Sequence, residues 1–121
     1  MPCLYFALDL KDDPALIEEY EQWHRPDRIW PEILESIRAS GVLNLEIFRV
    51  GSRLLLTMDV TPDFDPAAKA AADAANARVQ AWEAMMWKYQ RALPWARNGQ
   101  KWLPMQQIFS LQETAYVSTP R

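Results

Sequence analysis

The chain has little of the residues on which many common sites depend. Its 121 residues include one cysteine, one histidine and three glycines. A single cysteine excludes an intrachain disulfide and a thiolate metal cluster, and it is compatible with a reducing compartment. The histidine and the cysteine match no known metal-ligand spacing, and so few glycines argue against a phosphate-binding loop. We therefore expect neither a metal site nor nucleotide chemistry.

Strong charge of one sign and long apolar runs are also missing. The formal net charge is -3 and the lysines and arginines are scattered, which argues against nucleic acid or an anionic membrane as partner. No apolar run approaches the length of a membrane span, and the start of the chain shows no charged leader. We expect one domain over residues 1–121, a cytoplasmic location and a small or neutral partner.

The first third of the chain predicts a strand and two helices. Apolar residues alternate over Cys3–Leu10, which is typical of a strand. A helix then begins at Pro14 with Asp13 as its N-cap, and Pro26 interrupts it. The second helical stretch ends at Gly41, a residue suited to a helix C-terminus.

Two strands follow, predicted over residues 42–50 and 53–60. The two-residue loop 51–52, of the Gly-X kind, favours a tight hairpin in which Val50 pairs with Arg53. This register places one apolar set on a single face, with Arg49 opposite Leu54. The set consists of Leu43, Leu45, Ile47, Leu54, Leu56, Met58 and Val60.

The last part of the chain predicts a long helix and a final strand. The helix begins at Pro66, and Trp87 lies well off its apolar stripe. Alternating apolar residues predict a strand over residues 105–111. The stripe itself consists of Val79, Trp82, Met86, Tyr89 and Leu93.

The order of these elements is strand, helix, strand, strand, helix, strand. It predicts an α+β protein with a ferredoxin-like βαββαβ fold, in which helices cover one face of an antiparallel sheet. The second face has mixed polarity and needs cover of its own. A homodimer that stacks two sheets, as in dimeric α+β barrels, would provide it.

His24 is the candidate for acid/base chemistry because histidine titrates near neutral pH. A surface or structurally satisfied histidine is the alternative interpretation. Tyr20 lies four residues earlier on the same helix face, so both side chains can point into one cavity. Core packing explains Tyr20 equally well.

Tryptophan is abundant, with six in the chain, and some of these rings should line a pocket. Trp87 needs a second surface to bury it, which a pocket wall or a dimer contact would supply. Asp9, Glu46 and Asp59 are strand carboxylates that could partner His24 or ligand hydroxyls. Solvated sheet faces are the simpler account of these carboxylates.

Several segments, in order and over nearly the whole chain, resemble the L-rhamnose mutarotase family. Among them, the segments with the histidine, with Trp-Pro-Glu and with Trp-Lys-Tyr are moderately specific together and weak singly. The segments that carry the resemblance are Tyr20-Glu21-Gln22-Trp23-His24, Ile29-Trp30-Pro31-Glu32, the hairpin residues Asn44, Glu46, Ile47 and Phe48, Met86-Trp87-Lys88-Tyr89, and Gln106-Gln107-Ile108-Phe109.

The resemblance implies a dimeric enzyme without a cofactor that equilibrates the α and β anomers of a 6-deoxy-L-hexose. It implies His24 as the catalytic residue and Tyr20, Leu45, Met86 and Trp87 as substrate-binding residues. Met86 replaces the first of the family's two adjacent tryptophans, Leu45 replaces a tyrosine, and the segment after His24 is longer than usual. These departures leave L-rhamnose and L-fucose as the candidate sugars.

Mutarotation requires one proton delivered to the ring oxygen and another removed from the anomeric hydroxyl. We expect His24 to donate to the ring oxygen while Tyr20, a carboxylate or a water serves the anomeric hydroxyl. One alternative is a cofactor-independent monooxygenase or lactone isomerase on the same scaffold. Another is a sugar-binding module without turnover.

Overall fold

An antiparallel sheet with helices on one side organises the chain, which a computed structural model describes over residues 2–112. No helix of this part is long and apolar enough to cross a membrane. The elements are β1 Cys3–Leu10, α1 Pro14–Trp23, α2 Pro31–Ala39, β2 Val42–Val50, β3 Arg53–Val60, α3 Pro66–Ala75, α4 Ala77–Met86, β4 Gln90–Arg91 and β5 Leu103–Pro104.

The sheet has the strand order β2-β3-β1-β4, and β5 also pairs with β1. Strand β3 lies between β1 and β2 and is antiparallel to both, so β1 and β2 run parallel to each other. This is the split βαβ arrangement of a ferredoxin-like domain. The prediction of fold class is confirmed.

Local signals in the sequence set the ends of the first two helices. The Asp13 carboxylate accepts hydrogen bonds from the backbone N–H groups of Ala15, at 2.9 Å, and Leu16, at 3.3 Å. Gly41 follows α2 with a φ of 93°, and a Cβ on it would lie 3.0 Å from Oγ1 of Thr61. A side chain there would be strained by both its backbone conformation and its neighbour.

The hairpin register is confirmed, with Val50 opposite Arg53 and Arg49 opposite Leu54. The prediction for Leu43 is wrong, because the pairing shifts between Val42 and Asn44. Such a bulge leaves one residue without an opposite partner. The side chain of Leu43 is accordingly 53% exposed and belongs to neither buried cluster, although it borders the cavity beneath the sheet.

The long helix predicted from Pro66 is in fact two shorter helices. Asn76 has an extended backbone, and its side chain accepts hydrogen bonds from the N–H groups of Arg78 and Val79. Asparagine therefore begins α4 as an N-cap where the alanine-rich pattern indicated one continuous helix. Helix α4 ends at Met86, yet all five residues of the predicted stripe are buried.

The final strand predicted over residues 105–111 is also wrong. The edge of β1 is occupied by β4 and β5, two short pieces separated by residues 92–102. Met105 extends this pairing with one hydrogen bond from its N–H to the Tyr5 carbonyl, and the chain then leaves the sheet. The alternating apolar residues stay exposed, with Met105 at 53%, Phe109 at 65% and Leu111 at 73%.

Two clusters of buried side chains fill the space between the sheet and the helices. The smaller cluster belongs to the two hairpin strands and the larger joins the sheet to α1, α2 and α4. The larger consists of Leu10, Tyr20, Ile33, Leu54, Val79, Trp82, Met86 and Tyr89, and the smaller of Val42, Leu56, Met58 and Val60.

Candidate active site

A cavity of about 1150 Å³ lies between the inner face of the sheet and the helices. This volume is somewhat above the roughly 300–1,000 Å³ that is usual for small-molecule sites. Helix α1 and the residue after it contribute Tyr20, Glu21 and His24, which we call the α1 side of the cavity. Helix α3 contributes Lys69 and Asp73, among others, which we call the α3 side.

His24 follows α1 directly and caps its C-terminal end. Its Nδ1 lies 2.8 Å from the backbone carbonyl oxygen of Tyr20, one helical turn earlier. A carbonyl oxygen only accepts hydrogen bonds, so Nδ1 must carry the proton that joins them. In the neutral ring, Nε2 is then left with a free lone pair.

The surroundings of His24 favour this neutral form. Burial lowers the pKa of His24 below its ordinary value of 6.5, against a smaller opposite effect from the Tyr20 carbonyl. Its ring centroid lies 4.5 Å from that of Tyr20 and 5.6 Å from that of Trp82. Because aromatic surroundings solvate an imidazolium poorly, the neutral ring is favoured, and its Nε2 can accept a proton.

Tyr20 presents the complementary group, a neutral hydroxyl. Its side chain is 3% exposed, and burial raises the pKa of Tyr20 to about 12. The hydroxyl oxygen accepts a hydrogen bond from Nε2 of Gln90 at 3.3 Å. The described part of the chain offers no acceptor for the hydroxyl proton, which remains available to a ligand.

Two further residues at this site were missed by the sequence analysis. Trp82 was assigned to the core stripe, and it does lie there, but it also lines the cavity beside His24. Gln90 lines the cavity from β4 and is 4% exposed. The signal for Gln90 was a single polar residue next to the buried Tyr89, which no periodic pattern distinguishes from a surface position.

The carboxylates near the site come from helices rather than strands. Glu83 of α4 lines the cavity, raises the pKa of Tyr20 and lies 3.4 Å from Nζ of Lys101. Glu21 also lines it and pairs with Arg49 at 2.6 Å.

None of the strand carboxylates considered from the sequence lines this cavity. Asp9 instead accepts two hydrogen bonds from the guanidinium of Arg53, at 2.7 and 3.1 Å. Within residues 2–112, no group of three or more histidine, cysteine or acidic side chains is arranged to hold a metal ion.

The structure brings together four of the five residues that the sequence analysis assigned to the site. Tyr20, His24, Leu45 and Met86 all line the cavity. Trp87 does not, and the Nζ of Lys101 lies 4.7 Å from its ring centroid. Its second surface therefore comes from the segment before β5, and a sugar contact by Trp87 stays a prediction.

Fold and cavity together define an α+β protein with a proton acceptor and a proton donor in one apolar pocket. A profile of the L-rhamnose mutarotase family matches residues 4–111. The chain is 52% identical over 117 residues to an L-fucose mutarotase of Xanthomonas campestris pv. campestris, covering 97% of this chain and 94% of the relative. The chain belongs to the L-rhamnose mutarotase family, and the prediction of an isomerase is confirmed.

Solved structures agree on the fold. An L-rhamnose mutarotase from Formosa agariphila superposes with a TM-score of 0.66 at 22% identity, covering 92% of this chain and 99% of that one. The type II polyketide cyclase tetracenomycin F2 cyclase from Streptomyces glaucescens gives a TM-score of 0.59 at 13% identity, covering 91% and 98%. At these identities the likeness concerns architecture alone.

Proposed function

We propose that the protein interconverts the α and β anomers of a 6-deoxy-L-hexose and that its preferred sugar is L-fucose. The observation that carries the reaction is the placement of His24 and Tyr20 in one cavity, with ring centroids 4.5 Å apart. The relative at 52% identity supports the choice of L-fucose.

The proposed reaction begins with removal of a proton from the anomeric hydroxyl by Nε2 of His24. The bond between the anomeric carbon and the ring oxygen breaks, its electron pair moves to the ring oxygen, and that oxygen takes the Tyr20 proton. The aldehyde turns about its carbon–carbon bond, and the ring closes by the reverse transfers, which restore both side chains. The tautomer of His24 and its lowered pKa support this assignment, which reverses the expectation that His24 donates to the ring oxygen.

Apolar side chains around this pair suit a deoxysugar. Trp82, Met86 and Leu45 line the cavity and offer surface for the methyl group and the carbon faces of the ring. Glu83 and the ion pair of Glu21 with Arg49 supply polar groups for hydroxyls. A site of this composition holds the sugar while excluding the water that would compete for the two protons.

Saturation-transfer NMR tests the proposal directly. When the resonance of one anomer is saturated, the saturation passes to the resonance of the other anomer at the exchange rate. We expect the protein to accelerate exchange of L-fucose more than that of L-rhamnose, with D-glucose as the control sugar. Exchange at the uncatalysed rate for every sugar would contradict the function. Tight sugar binding without acceleration would instead support a binding module.

We also propose that the protein is a homodimer joined through the outer face of its sheet. Tyr5 is 48% exposed there, Phe48 53% and Val50 79%, an apolar patch that a second copy would cover. The exposed Ile108 and Phe109 would add to this contact. Light scattering should give twice the chain mass, and Phe48→Glu combined with Val50→Glu should halve it.

A reducing compartment such as the cytoplasm is our proposal for the location. Cys3 is the single cysteine of the chain and is free, so no disulfide within the chain contributes to stability. Fractionation of cells that express the chain tests this.

A further inference from the structure

The side chain of Gln90 has one satisfied and one unsatisfied end. Its Nε2 donates to the Tyr20 hydroxyl, whereas its Oε1 is buried without a hydrogen-bond partner in the described part of the chain. A buried amide oxygen without a partner lowers stability, and such groups are rare in folded proteins. An apolar side chain of the same size would avoid this penalty.

We propose that Gln90 is a positioning residue of the mutarotase site, which holds the Tyr20 hydroxyl so that its proton points to the sugar. The proposal rests on the function proposed above. Because Nε2 occupies a lone pair of the Tyr20 oxygen, the hydroxyl proton must turn away from Gln90. Gln90 therefore directs the donor without touching the reacting atoms.

Position and length of the hydrogen bond agree with this role. Gln90 is the first residue of the edge strand β4. Its backbone is fixed because Gln90 pairs with Leu10 of β1. The 3.3 Å contact is longer than an ideal N–H···O bond, as is common for such contacts before a ligand binds. Binding of the sugar would tighten it by drawing the hydroxyl proton toward the ring oxygen.

The two orientations of the amide make different predictions. If Oε1 faced Tyr20, the hydroxyl would donate to Gln90 and its proton would be withdrawn from the sugar. A carboxylate imitates this reversed arrangement, since it only accepts hydrogen bonds. The glutamate side chain of Gln90→Glu therefore has nearly the shape of the native glutamine. Its carboxylate would draw the Tyr20 hydroxyl proton toward itself and away from the sugar.

The experiment compares Gln90→Met, Gln90→Glu and the native chain by saturation-transfer NMR over a range of L-fucose concentrations. Gln90→Met frees the hydroxyl to rotate, so we expect kcat to fall about 10-fold to 100-fold with KM little changed. Gln90→Glu should lower kcat further at neutral pH. The melting temperature of Gln90→Met should change little, because loss of the hydrogen bond to the buried Tyr20 hydroxyl is offset by removal of the unpartnered amide oxygen.

Gln80→Met is the matched control, since Gln80 is exposed on α4 and does not line the cavity. It should leave both kinetic constants unchanged. A raised KM with unchanged kcat in Gln90→Met would overturn the proposal in favour of direct sugar contact, and full activity of Gln90→Glu would overturn it as well. Absence of exchange by the native chain would contradict the mutarotase function itself, and with it the role of Gln90.

Discussion

The α1 and α3 sides of the cavity differ in whether they hold polar groups that lack a partner. On the α3 side, Nζ of Lys69 lies 2.6 Å from the Asp73 carboxylate one helical turn away, so the two charges satisfy each other. On the α1 side, the Tyr20 hydroxyl proton has no partner within the described residues, nor has the amide oxygen of Gln90, which reaches Tyr20 from β4.

This difference indicates where the ligand reacts. A buried polar group without a partner lowers the stability of the fold, whereas a paired one contributes to it or is neutral. Proteins break such packing rules mainly at functional sites, where another molecule can complete the arrangement. This difference supports the proposal that the sugar reacts on the α1 side, with the α3 side as part of the wall.

The largest expected effect is that of His24→Ala, which removes the proposed base. We expect the catalysed exchange of L-fucose to fall by roughly 10² to 10⁴. Saturation-transfer NMR measures the exchange, and circular dichroism verifies that the variant folds. Undiminished exchange in a folded variant would remove the basis for distinguishing the two sides.

Tyr20→Phe should have the next largest effect, because it deletes the proposed acid and keeps the ring. We expect a fall of about 10² in kcat. The substitution also leaves Nε2 of Gln90 without its partner, so the free energy of unfolding should decrease by about 1–3 kcal/mol. Urea denaturation measures this decrease, and a stability loss without a kinetic loss would make Tyr20 a core residue only.

Much of the fold followed from local signals in the sequence. The alternation of β1, the Asp13 cap and the loop 51–52 each act within a few residues, so their structural outcome was predictable. The helix break at Asn76 was not predictable, because helix propensity averaged over its alanine neighbours hides a single capping residue. The edge strand was missed because β4 and β5 have two residues each, too few for a periodic pattern.

The residue pattern alone predicted the site only where it is local, whereas Leu45 and Met86 were assigned through the family resemblance. Tyr20 and His24 share a helix face, which their spacing alone indicates. Gln90 reaches Tyr20 from a strand 70 positions along the chain, and its place depends on where the chain turns after α4. Such a contact is a property of the tertiary structure, so the sequence carries no separate signal for it.

The effect of pH on the exchange should be smaller than that of either substitution, but it distinguishes a base from an acid at His24. If His24 acts as base, kcat/KM should be flat near neutral pH and fall at most about tenfold per unit below the His24 pKa, which lies under 6.5. A rate that rises on acidification, after subtraction of the uncatalysed rate, would indicate a protonated His24 as the donor.

Since the unfolded chain binds this proton more readily, unfolding should also become easier as the pH falls below 6.5.

The smallest effect is expected on the α3 side, from Lys69→Gln combined with Asp73→Asn. Removing both partners leaves no unpaired charge, and a helical pair at this spacing contributes only about 0.3–0.5 kcal/mol. We expect the exchange rate of L-fucose to stay within about twofold of the native value, because neither group would touch the reacting atoms. A fall beyond tenfold in a folded variant would show that the ligand extends to this side, and the cavity would then have to be treated as one site along its whole length.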